Sequence, residues 1–110
     1  MPAVTLAVPI PPEHLEAWRR FIQELALSKR PEFERSRKTV GVSAESIWLV
    51  AGIAVWWLEA EDPEGAILRL AASNQPFDHW FKRQVHDLVG LELIELLVQS
   101  RTELVLEWKE

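Results

Sequence analysis

Residues 47–61, IWLVAGIAVWWLEAE, constrain the fold more than any other part of this chain. A strand with one solvent-exposed face alternates apolar and polar residues, because successive side chains point to opposite faces of the sheet. After Gly52 both alternating sets are apolar. They are Ile53, Val55 and Trp57 on one side and Ala54, Trp56 and Leu58 on the other. Both faces of this strand must therefore be covered.

Hydrophobic periodicity predicts the elements of the first half of the chain. Apolar residues alternate over residues 4–10, which indicates a first strand. Helical spacing begins near Glu13, and Pro31 should interrupt that helix because its ring clashes with the preceding turn. The helical pattern then resumes to about residue 39. A hairpin follows, with strands over residues 46–50 and 53–60 and a tight turn at Ala51 and Gly52.

Local start and stop signals predict the second half. Asp62 and Pro63 begin a helix that runs to about residue 73, and a further helix over residues 77–89 begins after Pro76 and ends at Gly90. Residues 91–99 have no clean period. Residues 103–107 read as a last strand. The order is that of a single α+β domain over residues 1–110, a ferredoxin-like βαββαβ fold with a four-stranded antiparallel sheet and helices on one face.

Helices on one face leave the other face of the hairpin uncovered, and this predicts a homodimer. Such an apolar patch would exceed what a soluble monomer usually exposes. The candidate interface residues are Trp48, Val50, Trp56 and Leu58, although the pattern does not decide whether Trp56 or Trp57 faces the partner. Two sheets packed about a twofold axis would form a dimeric α/β barrel. The alternative is that residues 91–99 cover this face within one subunit.

Composition excludes several classes of function. A net charge of −5 argues against nucleic acid as a partner, because phosphate binding needs a positive surface. There is no cysteine, so disulfides and thiolate metal sites are excluded. No apolar run approaches the roughly 20 residues of a membrane span, and Pro9, Pro11 and Pro12 break the N-terminal pattern that a signal peptide would need. We expect a cytoplasmic protein with no membrane partner.

One helix face offers candidate catalytic residues. His79, Arg83 and His86 share this face with Lys82, and a histidine there could act as a base near neutral pH. The simpler interpretation is the solvent-exposed side of an amphipathic helix. The two histidines lie about 10 Å apart along the axis, which is poor geometry for one metal ion. We therefore predict no metal site and no cofactor, with haem ligation by a single histidine as a weaker alternative.

Three aromatic residues are candidates for lining a ligand pocket between sheet and helices. They are Trp18, Phe21 and Trp80. Aromatic residues at helical spacing are more often part of an ordinary core. Ligand binding and core packing both stay open on this evidence.

Four segments of the chain have a recognisable pattern: HLEAWRRFIQEL, SKRPEFERSRKTVGV, LEAEDPEGAI and SNQPFDHWFKRQV. They resemble a family of small bacterial proteins of unknown function in the dimeric α/β-barrel, ferredoxin-like superfamily. The resemblance implies the fold and a homodimer, and it brings no established activity. The wider superfamily is similar in architecture to cofactor-free monooxygenases and haem-degrading enzymes, a likeness that is weak evidence for function.

Two functions follow as hypotheses. The first is a homodimer that binds a small, largely apolar molecule between sheet and helices, with a cofactor-free, monooxygenase-like activity conceivable. The second is a non-catalytic dimer with an interaction or regulatory role. A cavity of several hundred Å³ that reaches a titratable side chain favours the first hypothesis. A solid core with its histidines in solvent favours the second.

Overall fold

The computed structural model describes residues 1–110 as an α+β fold. Its elements, in chain order, are β1 (Ala3–Pro9), a 3₁₀ turn (Pro12–His14), α1 (Leu15–Ala26), α2 (Arg30–Val40), β2 (Val42–Val50), β3 (Ile53–Ala60), α3 (Pro63–Ala72), α4 (Pro76–Val89) and α5 (Leu93–Gln99). The helices cover one face of the sheet, and the hydrophobic core lies between the two layers.

The sheet has three antiparallel strands in the order β1-β3-β2. This is the order that the ferredoxin-like arrangement gives to its first three strands. The predicted tight turn between β2 and β3 is present, with positive φ at Ala51 and Gly52. A two-residue turn with positive φ at both residues has a twist that matches the right-handed twist of the two strands. The turn fixes the register by pairing Val50 with Ile53.

Local sequence signals set the helix boundaries as expected. The Asp62 carboxylate accepts a hydrogen bond of 3.0 Å from the Gly65 amide and so caps α3. α4 begins at Pro76 and ends before Gly90, whose φ is positive. The first helix ends slightly earlier than predicted, at Ala26, and Pro31 lies in the first turn of α2, where a missing amide hydrogen costs nothing.

The ambiguous residues 91–99 contain a helix, α5, which packs against α3 and β1. Its buried side chains are Leu93, Leu96 and Leu97. Leu96 lies beside Leu6 and Val8 in the core between sheet and helices. α5 therefore adds to the helical layer, and the alternative in which this segment covers the other face of the sheet is wrong.

The fourth strand predicted over residues 103–107 is not formed. Arg101 makes a single antiparallel bridge to Leu6 at the outer edge of β1, and regular pairing stops there. Residues 103–110 are exposed throughout. An amphipathic strand pattern needs a neighbouring strand, and β1 begins at Ala3, so most of this segment has none to pair with.

None of the helices has both the length and the apolar character needed to cross a bilayer.

Candidate functional site

The side of the sheet that points away from the helices is exposed and largely apolar. We call it the open face. Residues paired across neighbouring strands share a side, and this side comprises Ala3, Thr5, Ala7, Pro9, Ala44, Ser46, Trp48, Val50, Ile53, Val55, Trp57 and Glu59. Trp48 is 55% exposed, Val50 60% and Ile53 39%. Its polar residues are Thr5, Ser46 and, at one end, Glu59. Because the rest is apolar, the face is poorly suited to permanent contact with water.

The register assigns the two adjacent tryptophans to opposite sides. Trp57 pairs with Thr5 and Ser46 and lies on the open face, whereas Trp56 pairs with Leu6 and Ile47 on the helical side. Of the four candidate interface residues, Trp48 and Val50 lie on the open face. The grouping of Trp56 and Leu58 with them is wrong, because the turn pairs Trp48 with Val55 and so puts it on the side opposite Trp56.

A small apolar cavity lies between the sheet and the helices. Its volume is about 30 Å³. Its walls are wholly hydrophobic and include Trp18, Phe21, Trp56 and Phe81. Trp80 is not part of the wall; its ring packs on Phe21 at a centroid distance of 5.5 Å. Two of the three predicted pocket residues thus line the cavity, which has room for one or two water molecules.

A buried ion pair next to this cavity was not foreseen from the sequence. Arg37 Nε donates to Glu45 Oε1 at 2.7 Å, and both side chains are only 5% exposed. The Trp56 indole also donates to Glu45, at 2.9 Å. The guanidinium lies between the rings of Phe33 and Phe81, 4.7 and 4.4 Å from their centroids. These contacts satisfy a charge pair that would otherwise be costly to bury.

The same polar network continues from α2 to α4. Arg37 Nη1 donates to Ser36 Oγ at 3.1 Å. The hydroxyls of Ser36 and Ser73 donate to the two oxygens of the buried Asp78 carboxylate. The network therefore ties β2, α2, α3 and α4 together, and no buried side-chain polar atom is left without a partner. We interpret the network as one that stabilises the packing of these elements.

The candidate catalytic residues on α4 do not converge on the cavity. His79, Arg83 and His86 are exposed. Lys82 instead donates two 2.8 Å hydrogen bonds to the carbonyls of Ala71 and Ser73, at the end of α3. His86 lies within 3.6 Å of carboxylate oxygens of Asp87 and Glu92. These contacts are those of a solvated helix face.

One surface carboxylate has a shifted pKa. A 2.7 Å hydrogen bond from Arg30 lowers the pKa of Glu34, and the nearby positive charges of Arg30 and Lys38 add to the effect.

No three histidine, aspartate or glutamate side chains come together as a potential metal site.

Comparisons with known proteins do not assign this chain to a family. No protein-family model matches the chain, and no curated protein matches it. A solved structure, that of tetracenomycin F2 cyclase from Streptomyces glaucescens, a type-II polyketide cyclase, aligns with 100% of this chain and 86% of its own at 17% identity and a TM-score of 0.49. A likeness this distant carries no argument about function.

Proposed function

We propose that this protein acts as a homodimer in which the open faces of two sheets pack together, and that the dimer has an interaction or regulatory role. The observation that supports this most strongly is the exposure of Trp48, Val50 and Ile53 on one side of the sheet. All the helices of the subunit lie on the opposite side, so its own chain leaves this face uncovered.

The size of the hydrophobic effect favours burial of this face. An aromatic side chain can remove on the order of 150–250 Å² from water, and each Å² is worth about 25 cal/mol. Covering Trp48 and its aliphatic neighbours therefore contributes several kcal/mol per subunit on this scale. A second copy is the simplest cover, because a twofold axis brings the same apolar face of both copies together.

Charge substitution on the open face tests this proposal. Trp48→Glu puts a carboxylate into the proposed interface, and we expect the dimer dissociation constant in sedimentation equilibrium to rise at least about a hundredfold. The matched control is Leu27→Glu, at an exposed apolar residue after α1, which should leave the constant unchanged. Equal dissociation constants for the two variants would overturn the proposal.

The apolar cavity favours a second candidate function, the binding of a small, largely apolar molecule. Its wall has no polar side chain, and four of its residues are large aromatics. Ligand pockets usually measure about 300–1,000 Å³, so a volume of about 30 Å³ requires the wall to move before a ligand enters. The exposed positions of His79, Arg83 and His86 favour binding over catalysis in this scheme.

Benzene is a suitable probe for this second function. A ligand that binds only the folded state raises the unfolding midpoint. If the cavity opens to admit small apolar molecules, benzene raises the midpoint of the unmodified chain. Ala54→Val adds two methyl groups at the cavity wall and should abolish that increase. An unmodified chain whose midpoint benzene does not change would rule out this function for probes of that size.

A further inference from the structure

Residues 103–110, which we call the tail, leave the sheet at the outer edge of β1. The Ala7 amide donates to the Ser100 carbonyl and the Thr102 amide to the Thr5 carbonyl, both at 2.8–2.9 Å. This antiparallel register pairs Leu6 with Arg101. Continued without a break, it would pair Leu104 with Ala3, where β1 begins. The tail beyond Leu104 therefore has no strand of its own subunit to pair with.

The register also decides which side of the tail faces which layer. Arg101 pairs with Leu6, a core residue, and its guanidinium contacts Glu64 of α3, so this position lies on the helical side. Side chains alternate along an extended chain. The residues that then lie on the side of the open face are Leu104, Leu106 and Trp108.

These three side chains are 72%, 84% and 80% exposed. They would extend the apolar surface of the open face beyond the edge of β1. The exposed parts of Trp48, Val50 and Ile53 amount to roughly 300 Å², which is less than half of what each partner buries in a standard interface. With the tail residues the total rises to roughly 800 Å², which is about what each partner buries in a standard interface.

We infer that the tail is a dimerisation arm that packs Leu104, Leu106 and Trp108 against a second copy of this chain. The inference rests on the proposed homodimer and adds the part of the chain that completes its interface. In the dimer the tail forms the strand that the isolated subunit lacks. Its apolar side then continues the open face, while Val105 and Glu107 stay on the opposite side.

Two adjacent tail residues with nearly the same exposure give a matched test. Leu106 is 84% exposed and Val105 83%, but alternation puts them on opposite sides. We expect Leu106→Ser to raise the dimer dissociation constant about tenfold, measured by sedimentation equilibrium. Val105→Ser should change it by less than about twofold. Neither variant should unfold the subunit, because both side chains are already exposed.

The outcomes separate this inference from the proposed function. Suppose that the unmodified chain dimerises and that the two variants have equal dissociation constants, either unchanged or raised. The dimerisation arm is then contradicted, while the dimer through the open face is not. If the unmodified chain is monomeric at micromolar concentration, the homodimer itself fails. A truncation after Thr102 that dimerises as tightly as the full chain would also overturn the arm.

Discussion

At the scale of single residues, the buried Arg37–Glu45 pair has the largest consequence for stability. Two patterns in the sequence point to this buried pair. Phe33, Arg37 and Val40 recur at helical spacing on the buried side of α2. Glu45 shares its alternation in β2 with Ile47 and Leu49, which face the helices. Arg37 and Glu45 thus each recur with the core residues of their own element. Two opposite charges placed in this way on adjacent elements predict a buried ion pair.

Removal of one partner should therefore be severe. Glu45→Ala leaves the Arg37 guanidinium buried without its carboxylate and the Trp56 indole without its acceptor. We expect a loss of about 3–5 kcal/mol in the free energy of unfolding, measured by urea titration at one protein concentration. The control is Glu16→Ala, which removes an exposed ion pair with Arg19 and should cost less than about 1 kcal/mol. Similar losses for both variants would contradict the account.

Glu34 gives a pH-dependent prediction at the same scale. Its pKa is lowered in the folded chain, chiefly by the hydrogen bond from Arg30. A depressed carboxylate pKa stabilises the fold above the ordinary carboxylate range, and this contribution disappears as pH falls through the folded value. In an NMR titration of the side-chain carboxyl carbon, Arg30→Ala should raise the pKa of Glu34. An unchanged titration curve would show that Arg30 is not the cause.

At the scale of elements, the hairpin turn controls which side chains reach each face. Ala51 has a φ of 50°, which is unfavourable for alanine and well suited to asparagine. Ala51→Asn should therefore increase the free energy of unfolding by about 0.5–1 kcal/mol. Gly52→Ala, in the same turn at a φ of 75°, should decrease it by about 1–2 kcal/mol. Chemical denaturation of both variants checks the opposite signs, and a shared sign would contradict the turn assignment.

Elements with local signals could be predicted from the sequence, and those set by distant partners could not. Helix ends are determined within one turn of backbone by Asp62 with Pro63, by Pro76 and by Gly90. The observed bounds of α3 and α4 are therefore close to the predicted ones. The sides of Trp56 and Trp57 depend on the strand register, because both are apolar and alternation alone does not separate them. The strand expected at residues 103–107 depends on a surface that its own subunit does not provide.

At the scale of the whole molecule, the sequence indicated an uncovered apolar sheet face, and the structure identifies which residues form it. Trp48, Val50 and Trp57 are on it, and α5 is not. The candidate ligand site was harder to predict, since the cavity volume depends on how all the aromatic side chains pack together. Trp18 and Phe21 line the cavity between sheet and helices, but nothing in their spacing indicated how little space they would leave.

Sedimentation equilibrium of the unmodified chain at micromolar concentration tests the central claim most directly. We expect a species of twice the 12.7 kDa subunit mass, in equilibrium with the monomer on dilution. A single species of 12.7 kDa at every concentration would show that the open face stays in water, and the homodimer would be contradicted.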